Sequence, residues 1–360
     1  MNGSPGTFLK LRILQNTSLY KQLRITGIKL ETADVKTFVL ESIDQNIPYS
    51  AGQYLTFIFE RREEELRRSY SLASSPVLNE PLAITVKRVE NGAVSRPLFD
   101  HAKEGDTLLT TGAGGFFVLP DKILHDQQLF FLAAGSGIVP VFSLIKTALH
   151  LYPDVHVVLI YSNRSLNTTI FHDELKSLQQ QYPHNFTIEF LFSMSADLAK
   201  ARLNQILLQV LLQQYSKVPV ENILFYTCGP FPYMRMIEIE LLTMGFSSSQ
   251  IRKEQFNTIR PVITLLPPDT DPHEVEIRIG GNVHHLTVQY PHTILDAAKK
   301  QRIVLPYSCE VGKCGSCAAL CLQGKVWMKY NEVLLNDEMR KGLVLTCSGF
   351  PIEGDVVLQF

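Results

Sequence analysis

Cysteines 309, 314 and 317 fall within nine residues, CEVGKCGSC, and a fourth thiol stands at Cys347 in LTCSGFP. No other feature narrows the fold as far. Whatever the C-terminal part does, it has to wind one tight loop and bring a distant turn to meet it. Thiols so spaced can hold a metal, act as a dithiol switch, or fill a core as small hydrophobes. A structural zinc usually shows paired C-x2-C knuckles, and here only Cys314 and Cys317 form such a pair. A thioredoxin-like switch starts a helix after a strand of a βαβ unit, which the surroundings do not suggest.

The spacing C-x4-C-x2-C with a distant cysteine is that of plant-type [2Fe-2S] ligation, and this reading is favoured over zinc and dithiol. Three ligands on one loop and a fourth from elsewhere let four thiolates enclose two irons while loop N–H groups face the sulfurs. Gly312 and Gly315 suit such winding, because a Cβ would obstruct it. Cys321, in AALCLQG, lies outside the spacing and reads as a small buried hydrophobe.

At 360 residues the chain exceeds one small core, and three domains are expected. The segments LRITGIKLET, VKTFVLES, QYLTFIFE, RRSYSLAS and LAITVKRVE alternate apolar and polar residues, the rhythm of an antiparallel barrel. Beyond residue 128, strand-like LFFLAA, HVVLIYS, FTIEFLFS and NILFYTC alternate with helical patterns, which implies a parallel sheet with helices on its faces. Four prolines in TIRPVITLLPPDTDP mark a linker. The expected divisions are 20–122, 123–257, a linker at 258–273, and 274–360. The uncharged stretch 129–145 is too short and too interrupted by Gly, Ser and Pro to span a membrane, and reads as a strand, a turn and a helix start. No signal-peptide pattern opens the chain, so a cytoplasmic protein is expected.

Three further motifs carry chemistry. In RRSYS, Arg68 and Tyr70 alternate on a strand, with Ser71 following. A guanidinium can bind phosphate, a phenol ring can cover an aromatic ring, and a hydroxyl can reach a ring nitrogen; an ordinary edge strand is the alternative. Gly92, Val94 and Ser95 precede a helix start suited to a diphosphate, or simply form a capped turn. AAGSGIVP places Gly135, Ser136, Gly137 and Pro140 between a strand and a helix, an incomplete G-x-G-x-x-G. Asn163 and Arg164 end the next strand, where an arginine can pair with a ribose 2'-phosphate and select NADPH over NADH. Cys228, Gly229 and Pro230 end the last long strand at the sheet edge where ligands gather.

With these residues quoted, the chain resembles the ferredoxin-NADP reductase superfamily carrying a C-terminal plant-type ferredoxin domain, over residues 22–360. Within it, the chain is most similar to the reductase components of phenylacetyl-CoA epoxidase systems. The resemblance implies an antiparallel β-barrel FAD domain, a parallel α/β NAD(P) domain and a β-grasp ferredoxin domain. It implies that Arg68 holds the FAD diphosphate, Tyr70 lies against the isoalloxazine and Ser71 meets its N5. The second flavin loop is then Gly92 to Ser95, and GAGGFF at 112–117 is the turn closing the flavin domain. Gly135 to Pro140 form the nucleotide loop, Cys228 lies by the nicotinamide, and Glu254 and Phe256 match the acidic and aromatic positions ending the nucleotide domain. Cys309, Cys314, Cys317 and Cys347 are the implied iron ligands. Val139 and Ala113 depart from the usual Thr and Pro.

The implied activity is electron transfer from NADPH, with NADH as the alternative donor, through FAD and a [2Fe-2S] cluster to a partner protein. Lys plus Arg (34) balance Asp plus Glu (35), so no global field points to nucleic acid. The chain shows no E-x-x-H helix pair or facial triad of its own, so oxygen chemistry is assigned to an oxygenase partner. Phenylacetyl-CoA epoxidase is the leading customer. Another diiron monooxygenase, a Rieske dioxygenase or a general one-electron protein acceptor are the alternatives, and a redox sensor with relict sites is a third class.

Overall fold

The computed structural model describes residues 20–61, 64–197, 200–256, 259 and 265–360. They divide into two compact units, one built on the chain up to Ala113 together with Phe117–Gln255, the other on Gly114–Phe116 and Phe256–Phe360. Of the stretch expected as a linker, 258–273, residues 258 and 260–264 lie outside the described residues, and His273 already begins a strand.

The first unit begins with β1 (Lys21–Thr32), β2 (Val35–Ser42), β3 (Tyr54–Arg61), β4 (Glu64–Ser71), β5 (Leu82–Lys87), a short helix α1 (Ser95–His101) and β6 (Thr107–Gly114). The sheet order is β4-β3-β6-β1-β2-β5, and β1 pairs antiparallel with both β2 and β6. A bridge between Leu72 and Ile84 joins the two edges, so the sheet closes on itself. Alternation does the sorting. Phe38 and Leu40 on β2, and Leu55, Phe57 and Phe59 on β3, point inward and are buried. The expected closing turn at 112–117 starts later than the sequence suggests, because β6 continues to Gly114. Buried Thr110 holds it there, its hydroxyl donating to Thr56 O at 2.8 Å and accepting from Gly112 N at 3.1 Å.

The same unit continues with β7 (Gln128–Ala134), α2 (Ile138–Leu151), β8 (His156–Asn163), α3 (His172–Gln181), β9 (Phe186–Phe192), α4 (Gln205–Tyr215), β10 (Ile223–Cys228), α5 (Phe231–Thr243) and β11 (Ile251–Glu254). All pairings are parallel, in the order β11-β10-β7-β8-β9. Strand β7 is apolar on both faces because both are covered. Leu129, Phe131 and Ala133 join the core under α2, while Phe130 and Leu132 join the core under α4 and α5. Each fully buried Phe or Leu contributes roughly 1.5–3 kcal/mol. Chain direction across the sheet reverses between β7 and β10, and ligands of such sheets bind outside the carboxyl ends at that point. Among the described residues, no helix is long and apolar enough to cross a membrane.

The second unit holds β12 (His273–Ile279), β13 (Asn282–Val288), α6 (Ile294–Lys300), β14 (Ala318–Met328), α7 (Asn336–Arg340), β15 (Leu343–Leu345) and β16 (Gly349–Gln359). The mixed sheet runs β13-β12-β16-β14-β15, with β12 and β16 parallel. A Gly280-Gly281 turn with positive φ at both residues closes the first hairpin. Thr293 and Asp296 cap α6 reciprocally, and Ile294, Leu295, Ala297 and Ala298 bury its apolar face. Cys321, expected buried, is half-exposed on β14, where register shifts on either side of Gln323 turn it out of the core.

Candidate functional site

Strand β4 presents Arg68 and Tyr70 at alternate positions. Arg68 is exposed, and its Nη1 donates to the Arg67 carbonyl at 2.7 Å. Tyr70 is half-buried against Phe57, ring centres 6.1 Å apart, and burial pushes its phenol well up despite the nearby Arg68 charge. Such a ring stays neutral and offers an apolar face. Gly92 packs so closely that a Cβ there would lie 2.2 Å from Ser95 Oγ. The same Ser95 Oγ accepts from Val89 N at 3.3 Å. Beside this turn opens a cavity of about 530 Å³, lined by Phe59, Leu66, Gly92, Val94 and Arg96, within the size range of cofactor pockets. Arg67, which sequence reasoning passed over, is the buried arginine of the pair and bonds Glu65 Oε1 at 2.7 Å.

At the reversal point, Gly135 takes a positive φ of 55° and its carbonyl accepts from Tyr161 Oη at 3.0 Å. Ser136 is half-buried, whereas Gly137 and Pro140 are buried at the start of α2. A Cβ on Gly137 would lie 2.0 Å from the Cys228 carbonyl oxygen, so the nucleotide-type loop and the C-G-P turn touch backbone to backbone. Val139, which stands where a hydroxyl is usual, is buried inside α2. Asn163 is buried and Arg164 exposed, at the end of β8. Gly229 is half-buried, and Pro230 and Phe256 are exposed.

Cys228 and Glu254 share a register position on β10 and β11 and are both buried. Burial, then the charge of Glu254, pushes the Cys228 thiol far up. Burial raises the Glu254 carboxyl to about 8, against the opposing pull of a hydrogen bond from Ser71. That bond, Ser71 Oγ to Glu254 Oε2 at 3.0 Å, joins the barrel strand to the parallel sheet. The other carboxyl oxygen, Oε1, and the buried Thr227 hydroxyl have no partner among the described residues. Buried polar atoms left without partners at strand ends mark a place for a polar ligand. The geometry therefore brings together Ser71, Cys228, Glu254 and the glycine loop.

In the second unit the four thiols converge. Cys309 lies within hydrogen-bonding reach of Cys314 and Cys347, and Cys317 within reach of Cys347. Backbone N–H groups point at the sulfurs: Gly312 to Cys347 Sγ at 3.3 Å, Val311 to Cys309 Sγ at 3.4 Å and Ser316 to Cys314 Sγ at 3.5 Å. Gly312 has φ 71°, and a Cβ there would meet the Tyr330 carbonyl at 2.5 Å. Thiols this crowded do not ionise alike. Bonds from Cys314 and Cys347 hold Cys309 low, a bond from Cys347 holds Cys317 low, and giving those bonds pushes Cys314 and Cys347 up. Four sulfurs and converging N–H donors fit a cationic iron–sulfur core, which would hold all four as thiolates. Thr346, also missed in the sequence, ties the two ligand segments by donating from both N and Oγ1 to the Cys317 carbonyl, at 3.1 and 3.0 Å. Its position beside Cys347 was the available signal.

Comparison with known proteins identifies the three domains. Residues 22–118 match the oxidoreductase FAD-binding domain family, 131–238 the oxidoreductase NAD-binding domain family, and 277–351 the 2Fe-2S iron-sulfur cluster binding domain family. The chain is 33% identical to the ferredoxin reductase component of 3-ketosteroid-9-alpha-monooxygenase from Rhodococcus rhodochrous, over 94% of this chain and 96% of that one. It is 31% identical to one of the subunits of 1,2-phenylacetyl-CoA epoxidase from Escherichia coli, over 95% and 98%. Phthalate dioxygenase reductase shares the fold at TM-score 0.57 and 23% identity, over 95% of this chain and 98% of that one. An intact type IV self-sufficient cytochrome P450 monooxygenase shares it at TM-score 0.72 and 19% identity; 95% of this chain is covered, but it spans only 41% of that longer one.

Proposed function

Given that this chain belongs to the family of oxygenase reductase components built from FAD-binding, NAD-binding and [2Fe-2S] domains, we propose that it oxidises NADPH and delivers electrons singly to an oxygenase, phenylacetyl-CoA epoxidase being the customer of choice. When bound, FAD supplies the conversion of a two-electron donor into single electrons, and the cluster supplies their relay.

The chain's own residues prepare the site. Arg68 would neutralise the flavin diphosphate, Tyr70 would cover one face of the ring, and the loop at Gly92, Val94 and Ser95 would offer its backbone N–H groups to the same diphosphate. Gly135, Ser136, Gly137 and Pro140 admit the dinucleotide diphosphate to the backbone, Asn163 and Arg164 hold the 2'-phosphate, and Gly229 and Pro230 frame the nicotinamide. Cys228, kept as a thiol, packs beside that ring. Glu254 holds a proton at neutral pH and Ser71 passes it to or from the flavin edge. Cys309, Cys314, Cys317 and Cys347 ligate the irons. The domains divide at 122/123, 257/258 and 273/274. Six free thiols suit the reducing cytoplasm.

The observation that carries this reading is the Ser71–Glu254 contact beside Cys228, because it joins the flavin-type strand to the nucleotide-type strand ends. The comparable identity to the 3-ketosteroid monooxygenase component favours a second reading, a different oxygenase as acceptor. The test is reconstitution. Purified chain, NADPH and the oxygenase component of phenylacetyl-CoA epoxidase should consume oxygen in proportion to phenylacetyl-CoA. Turnover only with a different oxygenase would transfer the assignment to that customer, and equal rates with NADH would defeat the cofactor choice.

A further inference from the structure

Lys313 occupies the cluster loop between Cys309 and Cys314, and it is one of the few lysines the fold encloses, only 8% exposed. A buried ammonium is costly unless something offsets its charge. The nearby acid is already engaged, since Glu310 takes both of its bonds from Lys299, at 3.0 and 3.1 Å. Among the described residues Lys313 has no carboxylate partner. Its Nζ donates to the backbone carbonyl of Ile259 at 3.0 Å, which fixes the ammonium in place but brings no negative charge. The loop that carries Lys313 also carries Cys309, Cys314 and Cys317, and the Lys313 backbone N–H donates to the Cys309 sulfur.

We propose that Lys313 is a tuning residue for the iron–sulfur group, its buried ammonium favouring the reduced state and so raising the reduction potential. This rests on the reading that Cys309, Cys314, Cys317 and Cys347 hold a [2Fe-2S] cluster. Two ferric ions, two sulfides and four thiolates sum to a dianion. One added electron makes a trianion, and no bond forms or breaks. A fixed cation stabilises the trianion more than the dianion, in line with the dependence of such potentials on local charge and burial. The Ile259 carbonyl is then a positioning device: it holds the ammonium at one place in the loop, whereas a surface lysine would swing into water and be screened.

The experiment is redox titration of the full-length holoprotein with mediators, following the cluster by its paramagnetic resonance signal. Lys313→Gln and Lys313→Met should each lower the reduced-to-oxidised ratio at a fixed applied potential about tenfold, equivalent to about 59 mV for one electron. Lys313→Arg keeps the charge and should stay within about threefold of wild type. Neutral variants that hold a full cluster at the wild-type ratio would overturn the proposal. If neither neutral variant assembles a cluster, the arginine variant decides: a cluster at the wild-type ratio supports a charge acting on the cluster, and loss of the cluster there too reduces Lys313 to a packing role. A wild-type protein with no rhombic signal after dithionite would instead strike at the cluster reading itself.

Discussion

Ser71, the last residue of β4, donates its hydroxyl hydrogen to Oε2 of Glu254, the last residue of β11, at 3.0 Å. Two strand ends from different sheets thus share one buried proton-handling pair. Serine can donate and accept at once, and a carboxyl held near pH 8 can keep a proton that an exposed glutamate would have lost.

The pair makes stability depend on pH in a defined direction. The folded chain holds a proton on Glu254 up to about pH 8, whereas the unfolded chain releases it near the ordinary 4.5. Stability from this group is therefore complete below the unfolded value and is lost as pH rises through the window toward 8. Thermal melts of wild type and Glu254→Gln should diverge accordingly. The wild-type advantage falls with rising pH, by at most about 1.4 kcal/mol per unit. Parallel melting curves across the window would contradict a buried, protonated Glu254.

Cys347→Ser separates the two halves of the electron path. Flavin bleaching by NADPH should keep its wild-type rate, while reduction of a one-electron protein acceptor is abolished. Stopped-flow absorbance reads the first step and acceptor reduction the second. Persisting transfer would place the exit elsewhere.

Gly137→Ala tests the backbone contact between the glycine loop and the C-G-P turn. The new Cβ meets a carbonyl oxygen at 2.0 Å, which no rotamer can relieve. The cost should reach the upper part of the about 1–3 kcal/mol typical of overpacking, with weaker NADPH binding. Gly135→Ala has free space around its Cβ but a positive φ, so its cost is the milder about 1–2 kcal/mol of left-handed strain. Chemical denaturation of both variants should reproduce that order.

Arg164 stands exposed at the end of β8, free to meet a phosphate. A hydrogen bond to a charged group contributes about 1.5–3 kcal/mol, so Arg164→Leu should lower kcat/KM for NADPH by about 10- to 100-fold. The value for NADH should stay put. An equal loss for both nucleotides would assign Arg164 a structural role.

The alternating strands of the barrel and the apolar runs of the parallel sheet were legible because each has one burial demand along its whole length. Strand β14 was not, because its two register shifts interrupt the two-residue period that sequence reading relies on. The same irregularity misplaced Cys321. Cys309, Cys314, Cys317 and Cys347 declared themselves through spacing, which survives any uncertainty about the surrounding elements. Lys313 did not, since a lysine between glycine and cysteine looks like an exposed loop charge until its burial is seen. Arg67 and Arg68 differ in sequence by one place, and only strand pleating decides which faces water.

Helix α2 starts at the glycine loop and is enclosed over every residue from Ile138 to Leu149, its Lys146 included. A helix with solvent on one side can rock or slip; one wrapped on all sides would have to exchange its whole set of neighbours to advance by a single 1.5 Å step. The glycine loop is thus anchored to a rod that cannot shift without disturbing its whole surround. Across the backbone contact with Cys228, by contrast, Pro230 and Phe231 lie open to water and have room to move.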